Sequence, residues 1–280
     1  MRDLLANLKD PIPVLDKGFV RLVDVMPRFV EEGQTADQAI VQAARVSYGA
    51  GTKTIREDRA LIHYLMRHQH TSPFEQVEFK FHMRLPIFVA RQMIRHRTAS
   101  VNEESLRYSE ARDEFYLPPL EDIRAQSTRN RQGRAAEPLP EGEARRIRDE
   151  LEADQRDAYA RYRSYLERGV ARELARINLP VSLLTSWYWK IDLHNLFHFL
   201  KLRLDPHAQH EIRLYAQAIA RYVRAVAPVA YEAFEEHVLY AARFSRTELA
   251  ALRRMLRGEP HGLEGRAAEE FLAKLEEPTR

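Results

Sequence analysis

The sequence predicts an α+β fold: a mixed or antiparallel β-sheet flanked by helices, with one long helical segment. Three observations predict it. Residues 18–26 and 75–85 alternate side-chain character with a period of two, as half-buried strands do. Most other apolar residues recur at spacings of three and four, as on amphipathic helices. Strands do not alternate regularly with crossover helices, which argues against a parallel α/β sheet.

In chain order, Gly18 to Met26 reads as a strand with one face more mixed than the other, and Ala36 to Val46 as a short helix. Thr54 with Glu57 forms a capping box for a helix carrying Leu61, Ile62, Leu65 and Met66, broken near His68 by His70-Thr71-Ser72-Pro73. Glu75 to Leu85 is the strongest strand, with Val77, Phe79, Phe81, Met83 and Leu85 on one side. Pro86 then opens a helix expected to run to about His96. From Ala99 to Tyr116 the periodicity is poor, with short strands expected at Leu106 to Ser109 and Phe115 to Leu117, and Gln126 to Glu141 reads as a surface loop.

A long amphipathic helix follows from about Gly142 to Arg168, stopped by Gly169, and Val170 to Ile177 reads as a short helix ended by Asn178 and Pro180. Leu193 to Leu202 is helical. Asp205 and Pro206 are expected to cap and open a further long helix bearing Ile212, Tyr215, Ile219, Tyr222, Val223 and Val226. Ser245 and Glu248 form a second capping box, with Gly258 as a stop. The expected division is a catalytic domain over residues 1–240 and a charged helical tail over 241–280.

The chain has 280 residues, 45% of them hydrophobic, enough to bury a sizeable core. It contains no cysteine, which excludes disulfide scaffolds, thiolate zinc sites and any Cys nucleophile. No stretch approaches the roughly 20 apolar residues that span a bilayer. Asp3, Lys9 and Asp10 stand where a signal peptide would be apolar, so a cytoplasmic address with no membrane partner is expected. Neither G-x-G-x-x-G nor G-x-x-x-x-G-K-[ST] occurs, so a bound phosphate must be held by side chains and helix N-termini. Arg predominates among the cations, and its planar fork of donors suits phosphates and carboxylates.

The chemistry concentrates between Arg91 and Arg107. Spacings of three and four place Arg91, Gln92 and Arg95 on one expected helix face, followed by His96, Arg97, Ser100, Asn102, Glu103, Ser105 and Arg107 in an irregular stretch. Arg and His at a helix C-terminus also suit the helix dipole with no ligand at all. The run RHRTASVNEESLRY from Arg95 to Tyr108 resembles the signature of flavin-dependent thymidylate synthases: an R-H-R triplet, seven residues, then a serine, here Ser105. HQHTSPFE (His68 to Glu75), FHMRLPIFVARQ (Phe81 to Gln92), ARINLP (Ala175 to Pro180) and FLKLRLDPHAQHEI (Phe199 to Ile212) fit the same family, and the resemblance covers roughly Asp16 to Tyr240.

The resemblance implies a methyltransferase that converts dUMP to dTMP, taking carbon from 5,10-methylenetetrahydrofolate and electrons from NADPH through FAD. It implies a homotetramer with active sites at subunit interfaces and no nucleic-acid partner. Carried over residue by residue, Gln92, Arg95, Glu103, Glu104, Ser105, Leu106, Arg107, Arg176 and Arg203 would hold dUMP. Arg203 would also act catalytically, stabilising the ring nitrogen of uracil in its ionised form so that carbon 5 becomes more nucleophilic. Ser72, Glu75, Arg95, His96, Arg97, Glu103, Asp192, His194, His198 and His207 would contact FAD, with His70 near the flavin or folate. Asp192-Leu193-His194 departs from the family's Asn-x-Arg, and an Asp there suits ribose or adenine better than a pyrophosphate.

Two rival readings come from the residues alone. His194 with His198, and His207 with His210, are spaced to face one side of a helix, as in a metal-dependent hydrolase, although no H-E-x-x-H occurs and no metal is expected. A pI near 9.1 and the run Trp187 to Lys190 would suit a basic nucleic-acid-binding module, but the cations are interleaved with apolar positions.

Overall fold

The computed structural model describes residues 10–28, 34–46, 55–128 and 132–276. The first half carries strands β1 (Ile12–Val14) and β2 (Gly18–Met26), helices α1 (Asp37–Arg45) and α2 (Ile55–Arg67), strand β3 (Glu78–Pro86), helix α3 (Ile87–Met93) and strand β4 (Ser100–Glu103). Next come a hairpin, β5 (Arg124–Gln126) with β6 (Arg134–Pro138), and helices α4 (Glu141–Glu167) and α5 (Arg172–Ala175). Strand β7 (Leu184–Asp192) leads into α6 (Leu193–Arg203), α7 (His210–Val226) and α8 (Pro228–Phe234). The tail holds α9 (Arg246–Leu256) and α10 (Gly265–Glu276).

The main sheet has five strands in the order β1-β2-β3-β7-β4, every pair antiparallel. Its register sets Phe81 opposite Trp189 and Met83 opposite Trp187, so the buried residues of the two central strands share one face. Helix α7 packs there with Ile212, Tyr215, Ile219, Tyr222 and Val223 buried. Tyr215 donates its hydroxyl to the Arg84 carbonyl at 2.8 Å, beside Gly18, where an added Cβ would meet that hydroxyl at 2.1 Å. Glycine is therefore required at position 18. The opposite face carries Lys80, His82, Arg84, Tyr188 and Lys190 and is largely bare, with Lys80, Tyr188 and Lys190 exposed.

Several expectations need correcting. Strand β3 begins at Glu78, because Phe74–Gln76 closes a 3-10 turn that buries Phe74. Helix α3 ends at Met93, so Arg95, His96 and Arg97 lie in the turns beyond it and Arg95 does not share its helical face with Gln92. Residues 106–109 form turns around the Ser105 carbonyl, and Phe115 makes a single bridge to Leu183, while the strand of this region is β4. The expected loop from Gln126 contains the hairpin partner β6 instead. Asp205 does not cap α7: the N-cap position is Gln209, which makes no side-chain cap, and the Asp205 carboxylate accepts from the His207 backbone at 2.9 Å in a separate turn. Thr54 lies outside the described residues, so its capping box is not described.

Candidate functional site

Helix α6 projects the site. Its first turn is fixed by Asp192, whose two carboxylate oxygens accept from the Asn195 backbone at 2.9 Å and side chain at 2.7 Å. Leu193, Leu196, Phe197, Phe199 and Leu200 anchor the helix in the core, leaving Asn195, His198, Leu202 and Arg203 to line a cavity of about 320 Å³. The turns after α3 supply its other wall, Arg95, His96, Arg97 and Thr98, and β7 supplies Ile191. Among the described residues no carboxylate lines this cavity. Among the described residues no Asp or Glu lies within ion-pair distance of Arg95, Arg97 or Arg203, although ion pairs are plentiful elsewhere on the chain.

Arg203 is held without neutralisation. Its Nε donates to His96 Nε2 at 3.1 Å and its Nη2 leans on the Gln92 carbonyl at 3.5 Å, while Nη1 has no partner among the described residues. Burial lowers the Arg203 pKa from its ordinary value. His96 packs edge-on to Phe199 at 4.9 Å and to His198 at 6.0 Å. Burial first, then the charge of Arg203 and the neighbouring His198, push the His96 pKa down to about 4. His96 is thus a neutral imidazole accepting at Nε2. Uncompensated guanidinium groups beside a neutral imidazole form a receptor for anions.

The structure brings five expected residues, Arg95, His96, Arg97, His198 and Arg203, to this cavity, with Gln92 joined through its carbonyl. Glu103 and Glu104 line a different cavity of about 410 Å³ with His82, Arg84 and Arg112. Glu103 accepts there from the Thr185 hydroxyl at 2.6 Å. Ser105 heads a turn, its carbonyl accepting from the Tyr108 backbone at 3.0 Å and its hydroxyl from the Arg107 backbone at 3.4 Å. Leu106 packs in a second apolar cluster under α4, and Arg107 reaches Glu173 at 3.3 Å, close in sequence to Arg176.

His70, Ser72 and Glu75 are exposed around the turn that precedes β3, whose Phe74 packs on Phe197 of α6. His194 is half-buried, and His207 is exposed and paired with Asp205 at 3.0 Å. His210 turns to Asp122 at 3.4 Å. Among the described residues no group of three or more His, Asp or Glu is arranged to hold a metal, so the four histidines of the hydrolase reading are not gathered.

Sequence reasoning missed Asn195 and Thr98, which line the cavity, and a network behind Gln92. Glu211 is 2% exposed in the first turn of α7. Its Oε1 accepts from Tyr116 at 3.2 Å and from Arg134 of the hairpin, and its Oε2 accepts from Gln209 Nε2 at 2.8 Å. Gln209 Oε1 in turn accepts from Gln92 Nε2. Burial would raise the Glu211 pKa, but the Arg134 charge and these hydrogen bonds outweigh it and lower it, leaving an ionised carboxylate.

The family model described as thymidylate synthase complementing protein matches residues 26–229, and that of the thymidylate synthase ThyX C-terminal domain matches residues 242–279. A flavin-dependent thymidylate synthase of Thermus thermophilus is 58% identical over 271 residues, 94% of this chain and 95% of the relative. One from Treponema denticola is 54% identical over 262 residues, 94% of this chain and 96% of the relative. Among solved structures, the UMP/dUMP methylase PolB from Streptomyces cacaoi bound with 5-Br dUMP superposes with a TM-score of 0.70 at 33% identity, over 80% of this chain and 97% of that one.

Proposed function

This chain belongs to the flavin-dependent thymidylate synthase family, and we propose that it methylates carbon 5 of dUMP to give dTMP in de novo dTMP synthesis. Its cofactor is a flavin. The finer reading takes that flavin as FAD, NADPH as the reductant and 5,10-methylenetetrahydrofolate as the carbon donor. The assembly is read as a homotetramer acting in the cytoplasm, with the bare sheet face available for contact between copies. Residues 1–240 are read as the catalytic part and 241–280 as a tail, in which Phe271 is buried beside Phe244 and His261.

The single observation that carries the reading is the set of three guanidinium groups in one cavity with no carboxylate among its lining residues. Such a donor set fits a phosphate-bearing cofactor and an anionic nucleotide together. When bound, the flavin supplies the electrons that reduce the transferred one-carbon unit to a methyl group. The residues of the chain bind, orient and polarise. Arg95 and Arg97 would meet phosphate oxygens, and His96 and His198 would border the flavin. Ser72, Glu75, His194 and His207 are assigned to the outer parts of FAD, and His70 to the flavin and folate vicinity. Arg107, Arg176 and the Ser105 hydroxyl would take the dUMP phosphate, with Glu103, Glu104 and Leu106 completing the wall.

Arg203 would present its remaining N–H groups to the uracil ring and stabilise negative charge spreading from the ring nitrogen, which raises electron density at carbon 5. No thiol adduct is needed, in accord with a chain that has no cysteine. The test is anaerobic incubation of purified protein with dUMP, 5,10-methylenetetrahydrofolate, FAD and NADPH, followed by analysis for dTMP. Flavin-dependent dTMP formation is expected. A protein that binds neither flavin nor dUMP overturns the reading.

A further inference from the structure

The hydrogen-bond chain behind Gln92 has a direction that chemistry fixes. An ionised carboxylate only accepts, so Gln209 must turn its NH₂ group toward Glu211. The other end of the Gln209 amide is then a carbonyl oxygen, and Gln92 must donate to it through Nε2. Gln92 therefore keeps its own Oε1 and one N–H for a ligand, in an order it cannot reverse. Reversal would set two carbonyl oxygens against each other, or, if Gln209 turned as well, set a carbonyl against the buried Glu211 carboxylate.

We propose that Glu211 and Gln209 are positioning residues that fix the amide of Gln92 so that the site takes uracil and rejects cytosine. The inference rests on the reading above, in which Gln92 helps to hold dUMP, and adds that its amide meets the pyrimidine. Uracil offers a donor at N3–H flanked by carbonyl acceptors, and these match the Oε1 and N–H of the fixed amide. Cytosine offers an acceptor at N3 and a donor at its exocyclic amine, a pattern that only the reversed amide matches. A site whose polar groups are set for one pattern discriminates strongly against the other, because the wrong base leaves them unpaired.

Oε1 accepting from N3–H favours the neutral ring that binds, and Arg203 stabilises the charge once that proton has left, so the fixed amide serves selection and Arg203 the chemistry. Arg134 and Tyr116 hold Glu211 from the far side, which ties base selection to the hairpin β5–β6.

The test compares dUMP and dCMP binding to the flavin-loaded protein by calorimetry. Wild type is expected to prefer dUMP. Gln209→Ala frees the Gln92 amide to turn, and the preference should fall by about 10-fold or more, mainly through tighter dCMP binding. Glu211→Gln, close in volume, removes the acceptor-only constraint and should shift the preference the same way. With Gln92→Ala already present, Gln209→Ala should add nothing to the ratio. Loss of packing alone would weaken both nucleotides together and leave the ratio untouched. An unchanged ratio in Gln209→Ala and Glu211→Gln, with dUMP still bound, overturns this inference and leaves the proposed function standing. A wild-type protein that does not bind dUMP removes both.

Discussion

The Nε of Arg203 donates to Nε2 of His96 across 3.1 Å, so the cation at the centre of the site is held by a neutral ring in place of a carboxylate. Protonating His96 would break this bond and set two cations face to face. Its pKa of about 4, against an ordinary 6.5, says which state the fold prefers. Between those values the unfolded chain binds a proton that the folded chain refuses, so the His96 contribution is full above about 6.5 and is lost as pH falls toward 4. The unfolding temperature should drop across that window, and His96→Gln should drop less. Equal drops in both proteins would remove His96 from this role.

Arg203→Ala should leave the flavin bound and lower dTMP formation by about 100-fold or more, since a cation that acts on developing charge matters most in the transition state. Steady-state assay together with the visible flavin absorbance checks it. Near-normal turnover would take Arg203 out of the catalytic role.

Ser105→Ala should retain measurable activity. Among the described residues the Ser105 hydroxyl meets only the Arg107 backbone, at 3.4 Å, with no base beside it to activate a nucleophile. Complete loss of turnover with dUMP binding intact would argue for a covalent serine.

Asp192→Ala removes the N-cap of α6 and should cost about 1 kcal/mol, a fall of about 2–4 °C in unfolding temperature for a chain of this size. Asp192→Asn should restore most of it, because an amide oxygen still caps. If Asp192→Ala lowers flavin affinity while stability is unchanged, its place is in the cofactor site.

Phe271→Ala empties the centre of the tail, where Phe271 is fully buried beside Phe244 and His261. A loss of about 3–5 kcal/mol is expected there. If residues 241–280 form a separate unit, limited proteolysis should release them while the flavin stays bound. Loss of flavin in step with the tail would join the two parts.

Local signals were legible and distant ones were not. β2 spans Gly18–Met26 as expected, Gly169 stops α4 with a φ of 80°, and the Ser245 and Glu248 capping box is formed. β7 went unread because Tyr188, an aromatic on the bare face, hides the alternation of Trp187, Trp189 and Ile191 toward the core. β4 is too short to show a period. At the site, Arg95 to Arg97 lie in one short run and Arg203 in a recognisable segment. Glu211 meets Tyr116 and Arg134 from 95 and 77 residues away, a closeness that only the folded chain creates.

Three like-charged forks gathered at one cavity repel each other until an anion arrives. Folding free energy is thereby withheld from the apo state and returned on ligation, so resistance to heat should follow nucleotide and cofactor concentration by mass action. A supply of those molecules would thus protect the folded chain as well as feed its reaction.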